Sequence, residues 1–430
     1  MRFSGKKLLM LGTSVASVDI VKYAQANGAY VIVTDYLPTE KSEAKQIADE
    51  TAMVSTIDAE AVVQLAKEKQ VDGVFCGVSE ANLVTVQTVC ERLGLPCYSN
   101  LELWSKCQDK EKFKSLCRQF GVPVVEEYQL PKDRDLNAIK GIHLPVVVKP
   151  VDSSGSRGIS VCKTEEELLC GIEKALAFSQ SKHLLIEKYM TGEEVVIYYA
   201  FQEGEPILTA MCDRYTNKEQ EGVAQLPTSY VFPSRHLKRY IQETDAKVKN
   251  MLRGIGIKNG TMFIQAFVDE DGGVRIYETG FRLNGAQEHF IVNATTGINT
   301  LEMMVNYSLN GKMCDERIAE KADPMLHGKY ACKLSPLVKE GVISRIVGLK
   351  EIQDINGIIC LKPLYQPGDT VSGIGTLKQI ACRFFAAADS AVELKQIIDK
   401  INDLFDVIDE TGKSMLLSKF DTTELERYFS

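Results

Sequence analysis

The sequence predicts an α/β start that runs into an α+β body. It reads as a Rossmann-like N-terminal domain, a central domain of strands and glycine turns, and a small mixed C-terminal domain. Three patterns carry this expectation. The first hundred residues alternate short apolar runs with helical stretches; strands and glycine turns dominate from about 101 to 282; the last hundred residues mix short strands with one amphipathic helix. In order, Leu8 to Leu11 reads as a buried strand, Val18 to Asn27 as a helix ending at Gly28, and Tyr30 to Thr34 as a strand closed by Asp35. A helix over Ala59 to Lys69, a strand over Gly73 to Cys76 and a helix from about Ala81 to Leu93 complete a parallel, doubly wound unit. A polar helix then carries Asp109, Lys110 and Lys112 and stops at Gly121; a helical region covers roughly 284 to 310; an amphipathic helix spans Ser390 to Phe405. The boundaries expected are 1–100, 101–329 and 330–430.

Composition narrows the function. A chain of 430 residues exceeds one compact core. With 45% hydrophobic and 25% charged residues it has the make-up of a folded soluble protein. A net charge of -8 gives nucleic acid no electrostatic support. The 12 cysteines are scattered, with no Cys-x-x-Cys pair, and several sit in apolar runs, as Cys76 and Cys360 do. They read as small buried hydrophobes of a reducing cytoplasm rather than a disulfide framework. The apolar run after Lys6-Lys7 breaks at Gly12 and reads as a strand, and no later run is long enough to span a membrane. A homodimer is compatible with all of this. A dinucleotide reading of the start is disfavoured, because Gly12 to Ser17 lacks the second and third glycines of that fingerprint.

Three segments carry chemistry. The apolar strand from Val146 delivers Lys149 and is followed by Ser153, Ser154, Gly155, Ser156 and Gly158. Small residues let backbone N–H groups turn toward a phosphate while a lysine adds charge, although no Walker sequence is present. A second strand runs into Glu187, Lys188, Tyr189 and Met190, and another begins at Glu194; such a hinge offers backbone groups to an adenine edge. The third segment is a hairpin. If Asp271-Gly272 forms a two-residue turn, partners sum to 543 and Gln265 lies opposite Glu278 on one face, close enough to share one magnesium ion. A one-residue slip would separate them.

In this order the segments resemble the ATP-grasp superfamily, in its carbamoyl-phosphate synthetase and biotin carboxylase branch. The run from Glu278 to Asn284 looks closest to stand-alone carboxylate–amine ligases such as the L-amino-acid ligases. The resemblance implies ATP with magnesium or manganese, and a mobile lid over about 126–190 inside the ATP-grasp domain. It implies that Lys110 and Lys149 hold the phosphates under residues 150–160, that Glu187 to Met190 line the adenine pocket, and that Glu194 binds ribose. Gln265 and Glu278 would be the metal pair, and Arg282 would steady an acyl phosphate. Glu80 would contact the acceptor substrate, and Arg214 would help to shape the substrate pocket. The branch usually has asparagine where this chain has Gly280. The reaction implied joins a small-molecule carboxylate to an amine with release of ADP and phosphate. The alternatives are a bicarbonate-activating enzyme and a degenerate nucleotide sensor.

Overall fold

The computed structural model describes residues 2–128, 142–152, 158–217 and 225–428. The leader forms a four-stranded parallel sheet in the spatial order Glu50–Ala52, Tyr30–Thr34, Lys7–Leu11, Gly73–Phe75. The expected helix over Ala59–Lys69 is present, and local chemistry sets both ends. The Asp58 carboxylate accepts from Ala61 N at 3.1 Å, and Gln70 takes a left-handed conformation past the last turn. The helix expected from Ala81 opens instead as a 3₁₀ turn, Glu80–Asn82, before Leu83–Leu93 becomes α-helical.

The body is organised by an eight-stranded sheet in which every neighbour is antiparallel. Its order is Val274–Gly280, Gly260–Val268, Glu194–Gln202, Glu205–Thr216, Pro227–Phe232, Tyr330–Leu334, Cys382–Ala388 and Ile358–Pro363. Three of these strands lie beyond residue 329, so one sheet runs through the boundary expected there. The helical region after 284 divides into His289–Thr296 and Thr300–Asn310, because Gly297 stops the first at a left-handed φ of 76°.

A smaller sheet, Glu127–Tyr128, Leu184–Lys188, Val146–Pro150 and Ser160–Cys162, has its own core. Val146, Val148 and Cys162 pack there against Leu168, Ile172 and Ala175 of the helix Glu165–Phe178. Its strands fall within the span expected to be the lid; the loop residues Ser153, Ser154, Gly155 and Ser156 lie outside the described residues. The helix Ala391–Leu404, capped by Ser390, turns Leu394, Ile397, Ile398 and Ile401 into a C-terminal core. Each such burial is worth about 1.5–3 kcal/mol. No helix among the described residues is long and apolar enough to cross a membrane.

Candidate active site

Two lysines expected at a phosphate are both held by carboxylates. Lys149, on Val146–Pro150, is almost fully buried, with its Nζ 2.7 Å from Glu187 Oε2 on the adjacent strand. Glu187 Oε1 lies 2.7 Å from Lys114 Nζ, and Lys114 in turn reaches Glu127 at 2.7 Å and donates to the Val125 carbonyl. Burial alone would push the Glu187 carboxyl up, but Lys149 and Lys114 outweigh it and hold it down. Burial pulls Lys114 down to about 8 despite the Glu187 charge. Lys114 was missed by sequence reasoning. The signal was its spacing: it stands four residues after Lys110 on the helix Lys110–Gln119, one turn along the same face. The Glu187 side chain is occupied by this cluster, so only its backbone is left to face a base.

Lys110 has its Nζ 3.3 Å from Glu278 Oε1. Glu278 lies directly opposite Gln265, the pairing expected from the sequence, but it is reached by another route. The turn is not the two-residue Asp271-Gly272 type. Asp269 N donates to Gly273 O, so the loop is longer, and the first pairs sum to 542, as in Val268 with Val274. A bulge between Gln265 and Ala266 then leaves Tyr277 as the extra residue and restores the 543 register above it. The extra residue is used. The Tyr277 hydroxyl donates to Glu194 Oε2 at 3.3 Å, and the Lys149 ammonium stands 5.7 Å from the centre of its ring.

Gly280 has a steric cause. A Cβ there would come within 2.3 Å of the Phe263 ring, its cross-strand partner. That ring supports Arg282, whose guanidinium carbon is 5.0 Å from the ring centre. Arg282 Nε reaches back to Glu80 Oε2 at 2.6 Å, joining the leader domain to the sheet. The structure thus brings together two of the three residues expected at substrate, Glu80 and Arg282, as partners of each other. Asn284 is turned into the local chain, where Oδ1 accepts from Ala286 N.

The hinge borders a cavity of about 670 Å³. Tyr189, Met190, Glu194 and Arg214 line it, while Lys188 lines a second cavity of about 390 Å³ that shares Tyr189 and Met190 with the first. Gly192 is required in this hinge, since a Cβ would meet the Val268 carbonyl at 2.0 Å. Arg214 is ion-paired with Glu194 rather than standing apart, and that charge outweighs burial and raises it. From there a row of directly paired residues crosses the sheet: Phe267, Glu194, Arg214, Tyr230 and Lys333. Direct antiparallel partners share a face. The ligand-facing residues of the hinge and the far end of the row therefore lie along one surface.

The far end of that row was not legible in the sequence. Lys333 is buried, its ammonium 4.6 Å from the Tyr230 ring centre, and among the described residues no carboxylate or hydrogen-bond acceptor holds it. Burial, then Arg383, drives it well below the ordinary lysine range. Arg383 donates to Gly285 O and Gln287 Oε1 and leaves Nε unpartnered. Glu288 is buried with Oε2 unpartnered, and burial pushes it up to about 7. These residues sit on well-separated strands and a loop, with no motif to join them.

Metal and nucleotide can be tested against these residues. Among the described residues no group of three or more His, Cys, Asp or Glu could hold a metal by itself. One carboxylate beside one amide, Glu278 with Gln265, suits magnesium that arrives with nucleotide phosphates and keeps its own water. The donors fit.

Residues 142–288 match the ATP-grasp domain family. The carbamoyl phosphate synthase large chain of Clostridium beijerinckii is 23% identical over 335 residues, covering 72% of this chain and 30% of that protein. The N-terminal section of the Methanopyrus kandleri counterpart is 22% identical over 272 residues, covering 61% of this chain and 48% of that one. The chain thus spans less than half the length of these relatives. Among solved structures, the L-amino acid ligase of Bacillus licheniformis superposes with a TM-score of 0.76 at 19% identity, covering 95% of this chain and 99% of that one. The biotin carboxylase of Campylobacter jejuni gives 0.76 at 15% identity, covering 98% and 95%. At these identities the structural likeness is one of fold.

Proposed function

Because the chain carries an ATP-grasp domain, we propose that it is an ADP-forming ligase that activates a small-molecule carboxylate as an acyl phosphate and passes the acyl group to an amine. One observation carries this reading. A nucleotide-side set, Lys149, Lys110, Glu278 and Gln265, adjoins a hinge from which a polar row leads to Lys333, a buried lysine that no carboxylate pairs with among the described residues. Attack of a carboxylate on a γ-phosphate must bring two anions together, and such a site needs a cationic place for each.

In this reading Lys149 exchanges Glu187 for phosphate, while Lys114 keeps Glu187 neutralised. Magnesium bound with the nucleotide would neutralise β- and γ-phosphate charge, held by Gln265 and Glu278. Lys333 and Arg383 orient the carboxylate. Its oxygen forms the new bond to the γ-phosphorus as the bond to ADP breaks. The amine nitrogen then bonds to the acyl carbon, the carbon–oxygen bond to phosphate breaks, and the amine proton leaves to solvent. Arg282, steadied by Phe263 and Glu80, stabilises the oxyanion of that second step.

The test is ADP release by the purified chain across a matrix of carboxylates and amines. Release that requires both partners, with a product linking them, supports the reading. Release driven by bicarbonate alone supports carboxylation chemistry, which the relatives named carbamoyl phosphate synthase favour. Nucleotide binding without any turnover supports a sensor.

A further inference from the structure

One side chain in the loop after Arg282 holds three segments of the chain together. Gln287 is 1% exposed and stands at a positive φ of 60°. A left-handed backbone is unfavourable for a residue other than glycine, and it persists only where the surroundings fix it. Here they do. The Gln287 backbone N–H donates to Asn284 O, and its carbonyl accepts from Phe290 N. The side-chain amide is used at both ends. Nε2 donates to the Val15 carbonyl at 3.1 Å, and Oε1 accepts from Arg383 Nη1 at 2.7 Å.

These partners come from distant parts of the sequence. Val15 lies in the leader, between the strand Lys7–Leu11 and the helix Ser17–Ala26. Arg383 lies on Cys382–Ala388, beyond the ATP-grasp match. Arg383 is buried, and its Nη1 also donates to the Gly285 carbonyl at 2.7 Å. Its Nε has no hydrogen-bond partner among the described residues. A guanidinium is a rigid planar fork, so two acceptors at Nη1 fix where the remaining N–H groups point. The Arg383 charge also acts on Lys333, the other residue given to the carboxylate. A second tie between the leader and this sheet leaves the amide out. Lys362, directly opposite Arg383 on the next strand, reaches Asp19 Oδ1 at 2.7 Å.

We propose that Gln287 is a positioning residue of the carboxylate site: by bridging the Val15 carbonyl and Arg383 it sets the guanidinium that orients the carboxylate. The inference rests on the ligase reading above and adds to it a dependence on how the leader is seated. It also accounts for the residue type. Arg383 needs an acceptor and the Val15 carbonyl needs a donor, and one amide supplies both.

The experiment is steady-state ADP release by the full-length chain, with the carboxylate and amine that give the fastest wild-type release in the matrix above. Gln287→Met keeps the length and removes both side-chain hydrogen bonds. Its KM for the carboxylate should rise about tenfold, the scale of losing one hydrogen bond to a charged group, while KM for ATP stays as in the wild type. Gln287→Asn suits a left-handed backbone but is one methylene shorter and cannot hold both partners. It should show the same rise, and it keeps the test open if the methionine variant fails to fold. Gln287→Glu still accepts from Arg383 and should recover most of the carboxylate affinity. Asp19→Asn weakens the other leader tie and should leave the carboxylate KM as in the wild type. An unmoved carboxylate KM in the Met and Asn variants, equal rises for carboxylate and ATP, or the same rise in Asp19→Asn overturns the inference. A wild-type chain whose ADP release responds to no carboxylate overturns the ligase reading itself, before any variant is compared.

Discussion

Lys114 and Lys333 are both buried lysines of the same molecule, and they are treated in opposite ways. Lys114 stands between Glu187 and Glu127, each 2.7 Å away, with a backbone carbonyl as a third partner. Lys333 has an aromatic ring and, among the described residues, no carboxylate within ion-pairing distance; the Glu288 charge acts on it only weakly against burial. The first arrangement is closed on itself and exists without a ligand. The second carries a desolvation cost that depresses the lysine's affinity for its proton, and an anion bound beside it would offset that cost. On the proposed function, the contrast separates the part of the site that holds the fold from the part that would meet substrate.

Breaking each lysine is the sharpest test. Lys114→Met takes one of two cationic partners from each of Glu187 and Glu127, which keep Lys149 and Arg118, and should cost about 3 kcal/mol of stability, read by urea unfolding. Lys333→Met should leave stability unchanged or raise it, because a costly buried amine disappears, while kcat/KM for the carboxylate falls. A Lys333→Met protein as unstable as Lys114→Met would remove the distinction.

Lys149 lies between these extremes, since Glu187 keeps Lys114 when it is lost. Lys149→Ala should therefore fold and yet lower turnover about 100-fold, with ATP bound more weakly and adenosine bound as before. Equal weakening of both ligands in calorimetry would make the lysine structural.

The Lys333 side should also show in pH dependence. Glu288 is raised from 4.5 to about 7, so it favours the folded state below the unfolded value, and that contribution is lost as pH rises through about 7. Its neighbour His289 is pulled down to about 3 by burial and acts in the opposite sense, favouring the folded state as pH rises from about 3 toward 6.5. Glu288→Gln should remove only the first effect, so its stability relative to wild type should improve between pH 5 and 8. A difference that stays flat over that range would show that Glu288 does not titrate there.

The smallest effect concerns Gly280. Gly280→Asn supplies the side chain usual in the branch but drives it into Phe263, an overpacking worth about 1–3 kcal/mol. Turnover should fall through Arg282 and should not improve at high magnesium. Recovery by added magnesium would show a missing metal ligand instead.

What was legible in the sequence follows the same division. Lys149, Glu187, Gln265, Glu278 and Arg282 announce themselves because each sits on a strand or turn whose local pattern fixes its direction. Lys333, Arg383 and Glu288 do not, since they meet only through a sheet whose strands are far apart in the chain. The domain boundary was read from a change in local texture, and texture carries no information about which strands share a sheet.

The hairpin bulge decides how freely this protein's turns can vary in length. Below Tyr277 the pairing obeys the loop; above it the pairing obeys the sheet. The unpaired residue absorbs the mismatch, so the spacing of Gln265 and Glu278 is insulated from the tip at Asp269 to Gly273. A tidier hairpin, with a two-residue tip and no bulge, would keep the same two residues opposed and give Tyr277 a strand partner. Its side chain would then project from the other face, away from Glu194 and Lys149. An apparent irregularity is thus what allows two consecutive residues, Tyr277 and Glu278, to serve the same side of the sheet.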